Sequence, residues 1–439
     1  MTEMAAPAQD RGLRASLARA FGFVVDKIRA TEIDLRQFGM VLALIVIWIG
    51  LWWQKPDIIS PVSFLTFSVQ AAGTAILATG MVLVIVSRNI DLSVGSVVGF
   101  IGMSYAFLMA NVFPATIGVN HPLAWVIALA AGVLLGIIIG GIQGFLIAYL
   151  EIPSFVVTLG GLFLFRGLIW QLSGGTTIAP DDPTFVLIGG GPEGSLGGAL
   201  SWVFGIVIAV AAVYLLVSAR RQRKRFGFPL RPMWAEVLIG VIAIGVVLGG
   251  VFVSNSYHWP AGLATQYAQK HGIVEPAGGL QIEAGIPFPL VILIGVTIVM
   301  TFLATRRRFG RDIYAFGGNP QAAELAGINT RWTVMKIFIL MGILCAISGA
   351  IASARLNGGT LDLGTGYELY VIAAAVIGGT LFAGGVGSIP GAILGALVMQ
   401  SLQYGLSFLQ FNSPQINMVL AIVLVTVVGV DQWVRRRAR

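Results

Sequence analysis

Twelve apolar stretches, each close to the length of a bilayer-crossing helix, constrain this chain more than any other feature. They fall near 38–54, 64–86, 92–112, 123–149, 154–172, 199–217, 235–253, 288–305, 332–355, 368–386, 390–410 and 415–433. A helix needs about 20 apolar residues to cross the hydrocarbon core, so these runs take up most of the 439 residues. Charged residues make up only 10% of the chain, against about 25% in soluble domains. A water-soluble globular protein is excluded. Runs such as Val126–Ile142 and Val237–Val253 are apolar around the whole helix rather than in alternation, which excludes a transmembrane barrel. The expected fold is an all-α polytopic membrane protein of about twelve transmembrane helices.

The formal net charge of +8 would suggest nucleic acid in a soluble protein, but here its placement reports topology, and no nucleic-acid partner is expected. Of 27 Lys and Arg, six lie in the N-terminal tail, six in 220–231, five in 306–331 and four at the C-terminal end. With twelve spans all four clusters fall on one side, which the positive-inside rule makes cytoplasmic. This predicts a cytoplasmic tail over 1–37, a lipid-embedded transmembrane domain over 38–434 and a basic cytoplasmic tail over 435–439. Phe38–Trp53 reads as an uncleaved anchor, since it ends in aromatics rather than a small-residue cleavage site. On the other side, 112–122 and 173–198 carry no Lys or Arg, and 254–287 only Lys270. Asp181, Asp182, Glu193, Glu275, Glu283, Asp362 and Glu368 make that outer face acidic.

Enzyme chemistry finds little footing. No Gly-Lys pair occurs, so there is no phosphate-binding loop. His121, His258 and His271 lack metal-ligand spacing, and Cys345 is the single cysteine. No metal or cofactor bound by this chain is expected. Glycine is abundant instead. Gly132, Gly136, Gly140 and Gly144 recur every fourth residue and predict close packing of a neighbouring backbone. Gly378, Gly379, Gly384, Gly385 and Gly387 predict a helix break that must be buried in protein or line a wet cavity. Ile90–Gly95 and Leu361–Gly366 echo one another faintly, and the twelve-span topology puts them on opposite sides of the membrane, as in an inverted repeat.

Polar residues inside such a chain are candidates for function. Asn89 and Asp91 interrupt two apolar runs with almost no loop, and either could cap a helix starting at Leu92 or Ser93, with Arg88 offsetting the Asp91 charge. The alternative is that Asn89, Asp91 and Ser93 face a central pathway. Arg166 is either a snorkelling or structural side chain or a fourth pathway residue. The loop 306–331 contains Asn319 as N-cap, Pro320 at the first helical position, the helix formers Gln321, Ala322, Ala323, Glu324, Leu325 and Ala326, the stop Gly327, then Ile328. This capped helix is either a handle for a partner or an amphipathic turn resting on lipid.

Four stretches in order, Ser87–Ser96, Phe309–Arg311 with Ala315–Ile328, Val376–Gly395 and the last span ending at Val430-Asp431, resemble the permease subunits of monosaccharide ABC importers of the ribose, xylose, arabinose and galactoside type. The resemblance implies two permease copies forming a pathway, two ATPase subunits that consume ATP, and a periplasmic sugar-binding protein, all at a bacterial inner membrane. It also implies that Asn319–Ile328 couples the ATPase to the spans, and Asp181, Asp182, Asp362 and Glu368 are candidates for docking the binding protein. Residues 199–285 depart from shorter ribose-type permeases as an inserted two-helix hairpin added to a ten-span core. This length and the wording of Ser87–Asp91 look most like xylose-type permeases. An ion-coupled secondary transporter is the rival reading, but it calls for intramembrane carboxylates that the spans do not supply.

Overall fold

The computed structural model describes residues 35–276 and 278–437; the predicted cytoplasmic tail lies almost wholly outside these. The chain forms helices α1 (Leu35–Gln54), α2 (Pro61–Val86), α3 (Val94–Phe107), α4 (Ala124–Ala148), α5 (Ser154–Ser173), α6 (Gly198–Arg225), α7 (Met233–Asn255) and α8 (Ala261–His271). They are followed by α9 (Phe288–Arg306), α10 (Arg308–Gly318), α11 (Pro320–Leu325), α12 (Thr330–Leu356), α13 (Tyr367–Ile377), α14 (Ile389–Phe408) and α15 (Ser413–Arg437). α3 runs on through a wide turn, Leu108–Val112, to Thr116. Pro114 accounts for the widening, because it cannot donate to the Ala110 carbonyl.

Among the described residues ten helices are long and apolar enough to cross a membrane, and two shorter apolar helices, Tyr367–Ile377 and Ser413–Thr426, accompany them. The expected span 368–386 is therefore corrected. Its helix ends at Ile377, and Gly378 to Ser388 form turns in which Gly379, Gly384 and Gly385 take positive φ. Gly378, Gly379 and Thr380 are buried, so protein shields the backbone groups that the break releases. Val430 and Asp431 lie in α15, where side chains are outside the described set.

The chain divides into two compact units. One comprises Trp202–Phe252 with the described residues 35–39, and within it α6 and α7 form a hairpin. Gly205 lies against Val251, and Arg220 pairs with Glu236 at 2.6 Å beside the turn.

The second unit, Met40–Ser201 with Val253 onward, holds the main core. α2 lies at its centre, buried from Ala71 through Val86. Small residues such as Ala72, Ala75, Ala78 and Gly80 let neighbours close in, and a side chain at Gly80 would run into Met341 and Leu344. The glycine stripe of α4 packs as expected: Gly136 faces the Gly342 backbone, Gly140 the Phe338 carbonyl and Gly144 the Met335 Cα, all on α12, while Gly132 seats the Tyr105 ring. Buried polar pairs add cross-links. Thr74 donates to Gln400 Oε1 at 3.1 Å between α2 and α14, and Trp48 donates to Ser401 Oγ at 3.1 Å between α1 and α14.

Candidate functional site

α11 is a single short helix built by local rules. The Asn319 side chain accepts the Ala322 N–H at 3.1 Å, Pro320 occupies the first turn, and Gly327 stops the helix at φ +78°. The Gly327 N–H reaches the Glu324 carbonyl, and the Ile328 N–H reaches that of Ala323. Ala323 is the buried anchor, whereas Gln321, Ala322, Glu324, Ala326 and Gly327 are exposed and Leu325 is 91% exposed. Glu324 is steadied by Thr330, whose hydroxyl donates to it at 3.0 Å.

Behind α11, three of the four stretches that carry the resemblance converge. Arg88 donates from Nε to the Gly317 carbonyl at 2.7 Å and from Nη2 to the Gly318 carbonyl at 2.9 Å, capping the end of α10. Gly385 N–H donates to the Val86 carbonyl at 2.9 Å, and the Tyr314 hydroxyl donates to the Gly387 carbonyl at 2.9 Å. The ends of α2 and α10 and the turns after α13 are thus locked together immediately before Asn319. The sequence expectation that Arg88 offsets Asp91 is corrected. Arg88 points to the α10 carbonyls of Gly317 and Gly318, while the Asp91 carboxylate turns to Ser93.

Asp91 is buried and accepts two bonds at Oδ1, from the Ser93 N–H at 2.9 Å and the Ser93 hydroxyl at 2.7 Å. Burial pushes its carboxyl above the usual range, and the two Ser93 bonds work against that rise. Gln143 of α4 completes the set by donating from Nε2 to Ser93 Oγ at 2.8 Å. Sequence reasoning missed Gln143; the available signal was that it is the one amide in an otherwise apolar, glycine-striped helix. Asn89 turns away and donates to Ser87. It caps nothing, and α3 begins at Val94.

Arg166 is half-buried on α5 and donates from Nη1 to the carbonyls of Leu361 at 3.3 Å and Leu363 at 3.1 Å. It thereby holds the segment that leads from α12 to α13. Gly359 of this segment packs by Met103 and Ala106, Leu363 by Gly99 and Gly102, and Gly364 against Gly95. The segment therefore runs back along α3 toward its start. The two echoing stretches touch rather than lying apart, which corrects the inverted-repeat placement. Positive φ at Gly364 and Gly366 forms the turns of this segment, and at Gly364 a side chain would also run into the Gly95 carbonyl.

The four acidic candidates separate. Asp182 is buried and caps the turn Pro183–Val186, accepting from Thr184 and Phe185 N–H at 3.0 and 3.1 Å. Asp181 is buried, with Oδ2 accepting from the Ser353 hydroxyl at 2.9 Å and Oδ1 unpartnered. Burial pushes its carboxyl up to about 6. Asp362 is exposed and Glu368 half-buried. The structure brings together Asp91 and Ser93, joins Arg166 to the segment bearing Asp362, and gives Asp181 and Asp182 interior roles.

Ten helices long and apolar enough to cross a membrane define a multi-pass membrane protein. The chain belongs to the family described as the branched-chain amino acid transport system / permease component, whose model matches residues 63–217 and 184–428. It is a non-catalytic permease component of the ABC-importer type and a multi-pass membrane protein homologous to bacterial inner-membrane permeases. Membership implies ATPase and binding-protein partners. The chain is 33% identical over 408 residues to the xylose transport system permease protein of Escherichia coli K12, covering 93% of this chain and 94% of that one. It is 35% identical over 362 residues to the protein of the same description from Haemophilus influenzae, covering 82% and 86%. The ribose import permease protein of E. coli K12 is 28% identical over 401 residues, covering 91% and 95%. No solved structure matches the chain.

Proposed function

We propose that this chain is the sugar-conducting subunit of an ATP-driven importer, with xylose or a related pentose as its cargo. Its similarity to permeases described as xylose transporters, over nearly the full length of both chains, supports that cargo. In this reading two copies enclose the pathway, both termini are cytoplasmic, and an ATPase partner hydrolyses ATP while this chain binds no cofactor.

The observation that carries the coupling role is the exposed Leu325 on the capped helix α11, backed by the Arg88 lock. An ATPase that grips Asn319–Ile328 moves α10, and Arg88 and Gly385 pass that movement to the ends of α2 and to the turns after α13. The Asp91–Ser93–Gln143 set lies one short segment beyond Arg88, so the same movement bears on the start of α3. Arg166 then ties α5 to the segment along α3. Asn89, Asp91, Ser93 and Arg166 accordingly act on the pathway by setting helix positions. The binding protein meets the opposite face; Asp181 and Asp182 are engaged inside the fold and Glu368 lies against Gly95 at the start of α3, which leaves Asp362 as the exposed acidic candidate.

Co-purification from native membranes with an ATPase assay tests the reading. The expected result is recovery of an ATP-binding subunit whose activity rises with a xylose-loaded binding protein. A protein that purifies alone and moves sugar in liposomes on an ion gradient overturns it.

A further inference from the structure

The α6–α7 hairpin has no task in the account above. A groove of about 430 Å³ runs along it, walled by Val210, Val213, Tyr214 and Val217 of α6 and Ile244 of α7. Its polar end is formed by Ser218 and Arg221. Residues 210, 213, 214, 217, 218 and 221 share one helical face, so the groove grades along a single line from hydrocarbon to hydroxyl to cation.

We propose that this groove binds one anionic glycerophospholipid, its acyl chain along Val210–Val217 and its phosphate between Ser218 and Arg221. The inference rests on the chain's being membrane-embedded and is independent of the cargo. α6 has 28 residues; at 1.5 Å per residue it is about 42 Å long, against a hydrocarbon core of about 30 Å. Its last turns therefore stand at headgroup depth while the apolar wall faces acyl chains. Arg220 is engaged by Glu236 and by the Arg231 carbonyl, whereas Arg221 has no ion-pair partner among the described residues. Exposed Lys224 and Arg225 follow one turn on, and exposed Phe226 and Phe228 suit the interfacial layer. A zwitterionic headgroup brings its own cation into this field; phosphatidylglycerol brings only the negative charge the cluster lacks.

The test uses the whole protein, delipidated in detergent and given phosphatidylglycerol or phosphatidylcholine, with native mass spectrometry reading bound lipid. One phosphatidylglycerol per chain is expected, at higher affinity than phosphatidylcholine. Arg221→Gln with Arg225→Gln should weaken the anionic lipid about tenfold or more and leave the zwitterionic one unchanged. Val213→Trp, which fills the groove without changing charge, should also expel it. Equal retention of both lipids, or undiminished phosphatidylglycerol on either variant, overturns the proposal. So does binding that appears only when residues 1–34 are removed, since the groove's occupant would then be the chain itself.

Discussion

Arg88 holds a left-handed backbone, φ +63°, which costs a non-glycine residue about 1–2 kcal/mol. Its two bonds to Gly317 and Gly318 offset that cost and join α2 to α10. Arg88→Gly should relax the backbone yet cut the link: the protein remains in the membrane, while sugar-stimulated ATPase activity falls about tenfold, the equivalent of one 1.4 kcal/mol contact. Normal stimulation in this variant removes Arg88 from the coupling route. Gln143→Leu leaves the Ser93 hydroxyl without its donor in the interior and should destabilise the protein by about 1–3 kcal/mol, read as thermal unfolding in detergent. Asp181 gives a pH signature. Its carboxyl lies at about 6 rather than 3.8, so the folded state holds the proton more tightly than the unfolded one. That contribution is full below about pH 3.8 and is lost as pH rises to about 6. The unfolding temperature should fall across this window, and Asp181→Asn should flatten the fall. None of these partnerships is visible in residue types alone. The groups that Arg88 and Arg166 find are backbone carbonyls, which every residue carries, and Gln143 meets Ser93 across 50 positions of chain.

At the scale of elements, glycine spacing was the most readable signal because it encodes a distance of approach. The stripe on α4 predicts close backbone contact, and α12 supplies it at Phe338 and Gly342. Gly140→Ala drives a methyl group into the Phe338 carbonyl and should cost about 1–3 kcal/mol. Gly160→Ala on α5, where nothing lies within 4 Å, should be neutral or mildly stabilising in the same unfolding assay. The capping pattern of α11 was equally plain, since Asn319, Pro320 and Gly327 act within one turn. By contrast, the span expected over 368–386 became an eleven-residue helix followed by turns. Hydropathy registers apolar content and cannot tell a continuous helix from one whose backbone groups are taken up by neighbouring chain, as the Gly385 N–H is by the Val86 carbonyl.

For the whole molecule, the hairpin offers a direct test of separability. The ends of the rest of the fold are stitched where it departs: Asn255 donates to the Gly198 carbonyl at 3.2 Å, and the Ile286 N–H donates to Ser201 Oγ at 2.8 Å. Replacing 202–252 by a short Gly-Ser link should leave a monodisperse, folded protein in detergent, with the loss confined to bound phosphatidylglycerol. Aggregation on size-exclusion chromatography would show that the remaining unit depends on it. The membrane class, the number of apolar runs, the α4 contact face and the capped helix α11 were determined by sequence, because each rests on composition or on spacing within one or two turns. The tertiary structure alone decided that Arg88 serves α10 instead of Asp91, that Asp181 and Asp182 are interior groups, and that the segment before α13 runs back along α3. Those outcomes depend on which distant backbone atoms arrive within hydrogen-bond reach, and that is set by packing, not by the order of residues along the chain.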